Sequence, residues 1–458
     1  MRKKIFAAAL AVMLTGCSPP SAEVMESPEV ADTAQALPIS ETEETAETIA
    51  ETVEAAETAE IVPPPLTEKS YSGDMLSEEY MKLLGRTHNE DGILWLPHSA
   101  SGVEFTMDGT YCSVTLAGDS AAQTSGRARF AAYVDGERVL DEMISEKEMT
   151  FEIFVSEELE VSRTTESESG SQSETEIVSI EVGQRSKEIT VRLVKLSEAL
   201  YSTVGLKSVD VVSRGDISPT AEKDLKIEFI GDSLTCGYGV DDEVSSHHFS
   251  TTTEDCTKAF AYKAAQMLDA EYSLVSYSGF GIVSGYTSVK GVKSGDYVVP
   301  DMYETLAYSG GSYNGYNAGD TRWDFSRFQP DVVVICLGAN DQTYTGSSEE
   351  LMREYTDAYV EFLGRIRGKN PDAHFVCCLG LVSDGLYDAV CTAAEEYSEQ
   401  TGDDSISVLH LPVQDGSTGY AADYHPTAAT YDEAASLLAE KIRSEVLGQM
   451  SPGLIADN

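Results

Sequence analysis

Hydrophobic and polar positions change their period along this 458-residue chain. From about 84 to 215 they alternate, as in Val103-Glu104-Phe105-Thr106-Met107, Cys112-Ser113-Val114-Thr115-Leu116 and Ile189-Thr190-Val191-Arg192-Leu193. A period of two belongs to strands with one buried face. Turn dipeptides such as Asp108-Gly109 and Asp135-Gly136 separate these segments. Many short strands without helical patterns between them predict a β-sandwich over 84–215. The Ser/Glu-rich stretch Ser162–Glu176 reads as a long solvated loop between two of its strands.

After Pro219 the pattern changes. Apolar runs at Ile227–Ile230, Ser273–Tyr277, Val332–Leu337, His374–Leu379 and Ser407–Leu411 read as buried strands. Between them lie helix-like segments, Ala259–Leu268, Ser348–Arg367, Asp388–Thr401 and Thr427–Val446. Strand and helix in alternation predict a parallel sheet covered on both faces. The expectation is a three-layer α/β domain over 222–450, with its site at the carboxyl ends of the strands.

The first seventeen residues are of another kind. Arg2, Lys3 and Lys4 precede a short apolar run, Ile5–Leu14, too brief to span a bilayer. It ends in Leu14-Thr15-Gly16-Cys17, which resembles the lipobox of bacterial lipoproteins. That resemblance implies a signal peptide over 1–17, lipidation of Cys17 and an extracytoplasmic lipoprotein anchored at the cell surface. Residues 18–72 follow, acidic and nearly free of large apolar side chains, with a loose ETxE repeat from Glu41 to Glu60. Burial there cannot offset the entropy of ordering, so the stretch reads as a disordered, self-repelling tether.

Charge narrows the partners. With 31 basic and 78 acidic residues the net charge is −47, which repels nucleic acid and anionic headgroups. Neutral substrates such as uncharged polysaccharides are easier to accommodate. Beyond Cys17 the cysteines (Cys112, Cys236, Cys256, Cys336, Cys377, Cys378 and Cys391) show no metal-ligand spacing, and no metal or cofactor is expected. Cys336, Cys377 and Cys378 read as small buried hydrophobes. A Cys236–Cys256 bridge stays open.

Candidate chemistry sits just after the buried strands. Gly231-Asp232-Ser233-Leu234 follows the first, placing a serine at the sheet's carboxyl edge, although Asp and Ser are also the preferred helix caps. Ser278-Gly279-Phe280-Gly281 follows the second, where Gly279 can expose its N–H to a substrate. Gly338-Ala339-Asn340-Asp341 follows the third, and Asn340 offers an amide of a type that stabilises oxyanions. Of seven histidines, His425 alone follows the last strand with a carboxylate close by, in Asp423-Tyr424-His425-Pro426. His247 and His248 lie in a polar loop and could line a substrate rim, whereas His374 and His410 read as core histidines. Each signal also has an ordinary structural explanation; their order along the chain does not.

Those four blocks resemble the SGNH/GDSL hydrolases over residues 225–447. The run Trp323–Asp341 is similar to carbohydrate esterase family 2. The resemblance implies a flavodoxin-like catalytic domain preceded by a jelly-roll domain, and hydrolysis of O-acetyl groups on xylan- or glucomannan-type polysaccharides. It assigns Ser233 as nucleophile, His425 as base and Asp423 as orienting acid. The Ser233 N–H, the Gly279 N–H and the Asn340 side chain would form the oxyanion hole. Asp423 stands two residues before the histidine, where most SGNH enzymes place it three before. Peptidoglycan O-acetyl groups or short-chain esters are alternative substrates, and non-catalytic carbohydrate binding is a further alternative. A monomer is the default.

Overall fold

The computed structural model describes residues 63–157, 159–168, 175–295 and 297–448. The leader, Cys17 and the acidic stretch up to residue 62 lie outside them. Among the described residues, one sheet of eleven strands lies between Thr67 and Pro219, and a parallel sheet of five lies between Leu225 and Val413. The change of period after Pro219 is thus a change of sheet. Ser218–Pro219 still pairs antiparallel with Thr106 and Phe105, and every later strand pairs parallel.

The antiparallel sheet is organised on one long strand, Gly102–Gly118. Its first half pairs with Lys187–Lys195, and its second with Val204–Ser213 and Glu148–Val155. Val103, Phe105 and Met107 alternate into the core with Val114 and Leu116. At the changeover stands Gly109, where a Cβ would lie 2.4 Å from the Val212 carbonyl oxygen, so the strand can exchange partners only through a glycine.

Two expectations need correction here. The predicted tether ends early: Thr67–Ser72 is a strand paired with Ser208–Ser213, because buried Tyr71 anchors it in the core. The predicted loop Ser162–Glu176 is also wrong where it can be seen. Leu159–Glu168 and Thr175–Gln184 pair as an antiparallel ribbon, with residues 169–174 outside the described set. Val178, Ile180 and Val182 recur at alternate positions of the second strand, which suits pairing, and a polar partner is carried along.

The parallel strands are β1 (Leu225–Gly231), β2 (Ala270–Ser276), β3 (Val332–Cys336), β4 (His374–Leu381) and β5 (Ile406–Val413). Their order is β2-β1-β3-β4-β5. Helices α1 (Ser233–Cys236), α2 (Phe260–Met267), α3 (Val299–Met302), α4 (Ala339–Thr345), α5 (Glu349–Lys369) and α6 (Tyr387–Thr401) lie between them, and α7 (Ala428–Lys441) follows the last. One face buries Phe229 and Val334 under Phe260 of α2 and Tyr431 of α7; the other buries Ile335 and Phe375 under Tyr359 of α5 and Tyr397 of α6. Strands covered on both faces are apolar throughout, which is why they read as uninterrupted runs. The direction of winding reverses between β1 and β3, and in sheets of this order the crevice outside those strand ends is where ligands bind.

The cysteines supply packing. All seven described cysteines are free, Cys236 and Cys256 included. His374 is half-buried against Ser407, as a core histidine would be, but His410 is exposed and faces Asp384, because β5 is the sheet's edge.

Arg86, from the antiparallel half, ties the two sheets together. It is 1% exposed and donates to the carbonyls of Tyr303 (2.6 Å) and Thr305 (2.9 Å) and to Glu228 of β1 (3.0 Å). Its guanidinium also lies 5.0 to 5.4 Å from the ring centroids of Tyr303, Trp323 and Phe325. Removing one partner of a buried ion pair leaves the other charge uncompensated. Arg86→Ala should therefore cost about 3–5 kcal/mol in urea unfolding; a loss within the range of a surface substitution would show that Glu228 finds another partner.

Candidate active site

Residues after all five parallel strands meet over the β1/β3 crevice. Gly231 ends β1, and Asp232 caps the single turn of α1 by accepting the Leu234 N–H at 3.0 Å. The next residue, Ser233, is thereby held at the first helical position, where an N–H has no partner within the helix. It is 8% exposed and reaches an open pocket of about 850 Å³. Tyr286 and Lys290 from the chain after β2 line that pocket, with Asn340 and Gln342 after β3, Ser383 after β4 and Tyr420, Tyr424 and His425 after β5.

His425 meets the serine directly. Its Nε2 lies 2.9 Å from Ser233 Oγ, and its Nδ1 lies 3.2 Å from the Ala422 carbonyl oxygen. A carbonyl can only accept, so Nδ1 carries the proton and Nε2 is free to take the one on Ser233. Burial pushes the imidazole down to about 4, against the opposing pull of the Ala422 carbonyl and of Asp423. The base is therefore neutral, and competent, at ordinary pH.

Asp423 stands elsewhere. Its carboxylate accepts from the Tyr238 hydroxyl (2.8 Å), His248 Nδ1 (2.8 Å) and the Phe249 N–H (3.0 Å). Burial alone would raise this carboxyl, but the three donors hold it below its usual range. Among the described residues its carboxylate makes no hydrogen bond to His425; the orienting contact assigned to that carboxylate belongs to the Ala422 carbonyl. The reason is backbone geometry. Asp423 and Tyr424 both have positive φ, +50° and +60°. This two-residue spacing turns the carboxylate toward the 238–249 loop and leaves Tyr424 62% exposed at the pocket rim. Asp423 acts on the base at one remove: the Tyr238 ring it holds stacks on His425, centroids 4.0 Å apart.

The three proposed oxyanion donors differ in readiness. Gly279 has φ +83° with open space where a Cβ would stand, so a substrate oxygen can approach its N–H. Asn340 lines the pocket, but both its amide hydrogens are committed, to Asp232 Oδ2 (3.0 Å) and the Phe280 carbonyl (2.9 Å). Through these bonds it braces the turn after β1 against the turn after β2. As an oxyanion donor it must share a hydrogen with one of these acceptors. Next to it, Asp341 accepts the N–H groups of Ile282 (3.0 Å), Val283 (2.8 Å) and Ser284 (3.1 Å). Burial pushes Asp341 up to about 6 despite those donors, and pushes Asp232 up to about 7.

The chain resembles known proteins. Residues 229–433 match the GDSL-like Lipase/Acylhydrolase family. The chain is 31% identical over 261 residues to the Cellulase/esterase CelE of Acetivibrio thermocellus, a match covering 56% of this chain and 29% of that one. It is 25% identical over 266 residues to an acetylxylan esterase / glucomannan deacetylase of Cellvibrio japonicus, covering 56% of this chain and 67% of the relative. It thus spans less than a third of the first relative's length. Among solved structures, a family two carbohydrate esterase from Clostridium thermocellum in complex with cellohexaose superposes with TM-score 0.65 at 26% identity, over 80% of this chain and 99% of that one. An acetyl xylan esterase, Est2A, from Butyrivibrio proteoclasticus shares the fold, with TM-score 0.68 at 20% identity, over 84% and 99% of the two chains.

The chain is similar to family two carbohydrate esterases.

Within this esterase-like site the sequence reading missed two contributors. The Ala422 carbonyl is a backbone atom, invisible in any motif. Tyr238 follows Ser233 by one turn and a glycine, and only the fold brings its ring onto the imidazole.

Two outcomes follow from the base and its neighbours. Asn tolerates the left-handed backbone of Asp423, so Asp423→Asn should lower kcat by less than about tenfold, whereas losing His425 should cost on the order of 10⁴-fold or more. Steady-state kinetics on p-nitrophenyl acetate decides, and equal losses would restore Asp423 as the direct partner of the base. The base works only unprotonated, so kcat/KM should stay level down to mildly acidic pH and fall as pH drops through about 4. An acid limb near the ordinary histidine value of about 6.5 would mean that water reaches the imidazole.

Proposed function

We propose that this chain is a serine esterase that removes O-acetyl groups from neutral, plant-type polysaccharides of the xylan or glucomannan class. The observation that carries this reading is the 2.9 Å contact between Ser233 Oγ and an unprotonated His425 Nε2 at an open pocket. Ser233 Oγ attacks the acetyl carbonyl carbon as its proton passes to Nε2. The oxygen that becomes negative lies toward the Ser233 and Gly279 N–H groups, with Asn340 as the third donor. Collapse breaks the ester bond, and the imidazolium returns the proton to the departing sugar hydroxyl. Water, deprotonated by the same Nε2, then attacks the acetyl carbon; the bond to Oγ breaks, acetate leaves, and the imidazolium returns its proton to Ser233 Oγ.

The surroundings support a polymeric, uncharged substrate. The pocket is broad and open, and Tyr286 and Tyr424, both 62% exposed, stand at its rim. Exposed tyrosines offer a flat apolar face and a polar tip, which suits a sugar ring. A chain of net charge −47 disfavours polyanions. The antiparallel half fits the jelly-roll domain of the family, and the chain acts as a monomer held outside the cell by a lipid on Cys17, with the acidic stretch as spacer.

Wild-type protein should release acetate from acetylated xylan or glucomannan, and Ser233→Ala should release none. Asn340→Ala should lose on the order of 10²–10³ in kcat, with the fold intact by circular dichroism. Acetate from peptidoglycan alone would keep the chemistry and change the substrate; no Ser233-dependent release from any polymer would refute the reading.

A further inference from the structure

Behind the catalytic turns lies a second group of buried acids that the esterase chemistry leaves unassigned. Glu198 comes from the antiparallel half, three residues beyond the strand that ends at Lys195. Glu254 comes from the long loop after α1. Both are fully buried, at 0% exposure. The Glu198 N–H donates to Glu254 Oε2 at 3.0 Å, and Glu198 Oε2 accepts the Ser278 N–H at 2.8 Å. Ser278 immediately precedes Gly279. The Oε1 atom of each acid is buried without a donor among the described residues.

The two carboxyls have oxygens within 4.8 Å of each other in a dry site, where like charges so close do not both stay ionised, and one proton held by the pair supplies the missing donor. Burial raises both acids, in agreement. The ammonium of Lys195, also fully buried, donates to the carbonyls of Ser197 (2.5 Å) and Glu198 (2.8 Å), and its charge pulls both acids down against their burial. The Cys236 thiol completes the cluster, its sulfur within 4.8 Å of both carboxyls.

We propose that Glu198 is a positioning residue for the esterase reaction, in which a proton-sharing pair with Glu254 fixes the peptide before Gly279 and so aims the Gly279 N–H at the oxyanion. The antiparallel half thereby supplies part of the catalytic apparatus. Glu198 does not touch the substrate; it acts through Ser278. Asp341 holds the other side of the same turn through Ile282, Val283 and Ser284, so the donor is suspended between two buried carboxyl groups from opposite halves of the chain. Misplacing a catalytic group by about 1 Å can cost roughly 10²-fold.

The proposal rests on the esterase reading for its effect on rate, but not for the anchor itself, so two readouts are needed. In the full chain, Glu198→Ala should lower kcat for p-nitrophenyl acetate by roughly 10- to 100-fold, with KM changed less than about twofold. Amide exchange over residues 278–281 should quicken by at least about tenfold in the same variant. Glu198→Gln should recover most of both, since its carboxamide accepts from Ser278 and donates to Glu254 as the shared proton does. Glu254→Gln should do likewise from the other side. Exchange and kcat in Glu198→Ala equal to wild type would overturn the proposal, as would a Gln variant impaired as severely as Ala. If Glu198→Ala does not fold, the two Gln variants decide, and loss of protection or rate in either overturns it. A wild-type protein without Ser233-dependent turnover would remove the esterase reading and the catalytic role with it, while the exchange data still decide the anchor.

Discussion

Buried carboxyl groups behind the candidate site have to be satisfied, and this constraint shapes the turns after β1 and β2. Asp232, Asp341, Glu198 and Glu254 are each at most 1% exposed. In such surroundings a carboxyl group either finds donors or costs several kcal/mol. Here the donors are mostly backbone N–H groups of the turns that carry the chemistry: Leu234 after the nucleophile, Ser278 before Gly279, and Ile282, Val283 and Ser284 beyond it. A loop tied down by its own amides has little freedom left. The acidity conspicuous in the composition therefore does two jobs. On the surface it sets the field, and inside it holds the loops in place.

The same logic explains why a base can work without a directly bonded carboxylate. In a Ser–His–Asp arrangement the acid fixes the tautomer and stabilises the imidazolium. The Ala422 carbonyl does the first, and the charge of Asp423, held off the ring by Tyr238, contributes to the second through space. Separating the two tasks leaves Asp423 free to bind His248 and the Phe249 N–H, so the loop that carries Glu254 is tied to the loop that carries His425. The strained pair Asp423–Tyr424 is the conformational cost, and it sets an exposed aromatic ring at the rim of the pocket.

The antiparallel half is joined to the parallel-sheet half by more than packing. Arg86 reaches Glu228 on β1 of the parallel sheet, Arg138 reaches Asp255 at 2.9 Å, and Glu198 reaches the turn beside Gly279. These contacts are buried or partly buried charges, which tolerate little displacement. Such a junction explains why the nucleophile's side of the crevice is supported from residues more than thirty positions upstream of Ser233, and why neither half can be read as an appendage of the other.

Much of this was legible in the chain itself, and for a physical reason. Period-two alternation and uninterrupted apolar runs report directly on whether a strand has one buried face or two, so both sheets were placed by pattern, as was the order of Ser233, Gly279, Asn340 and His425 at their ends. Local errors came where pattern is weak: the polar ribbon strand Leu159–Glu168 takes its structure from its partner, and Thr67–Ser72 is held by the single anchor Tyr71. What only tertiary structure decided were contacts between residues distant in sequence or made through backbone atoms. The Ala422 carbonyl on His425, the turn of Asp423 away from it, the double commitment of the Asn340 amide and the Glu198–Ser278 bond leave no periodicity behind. A sequence records which chemical groups are available near a strand end; which acceptor each donor finds depends on the three-dimensional packing of segments from both halves.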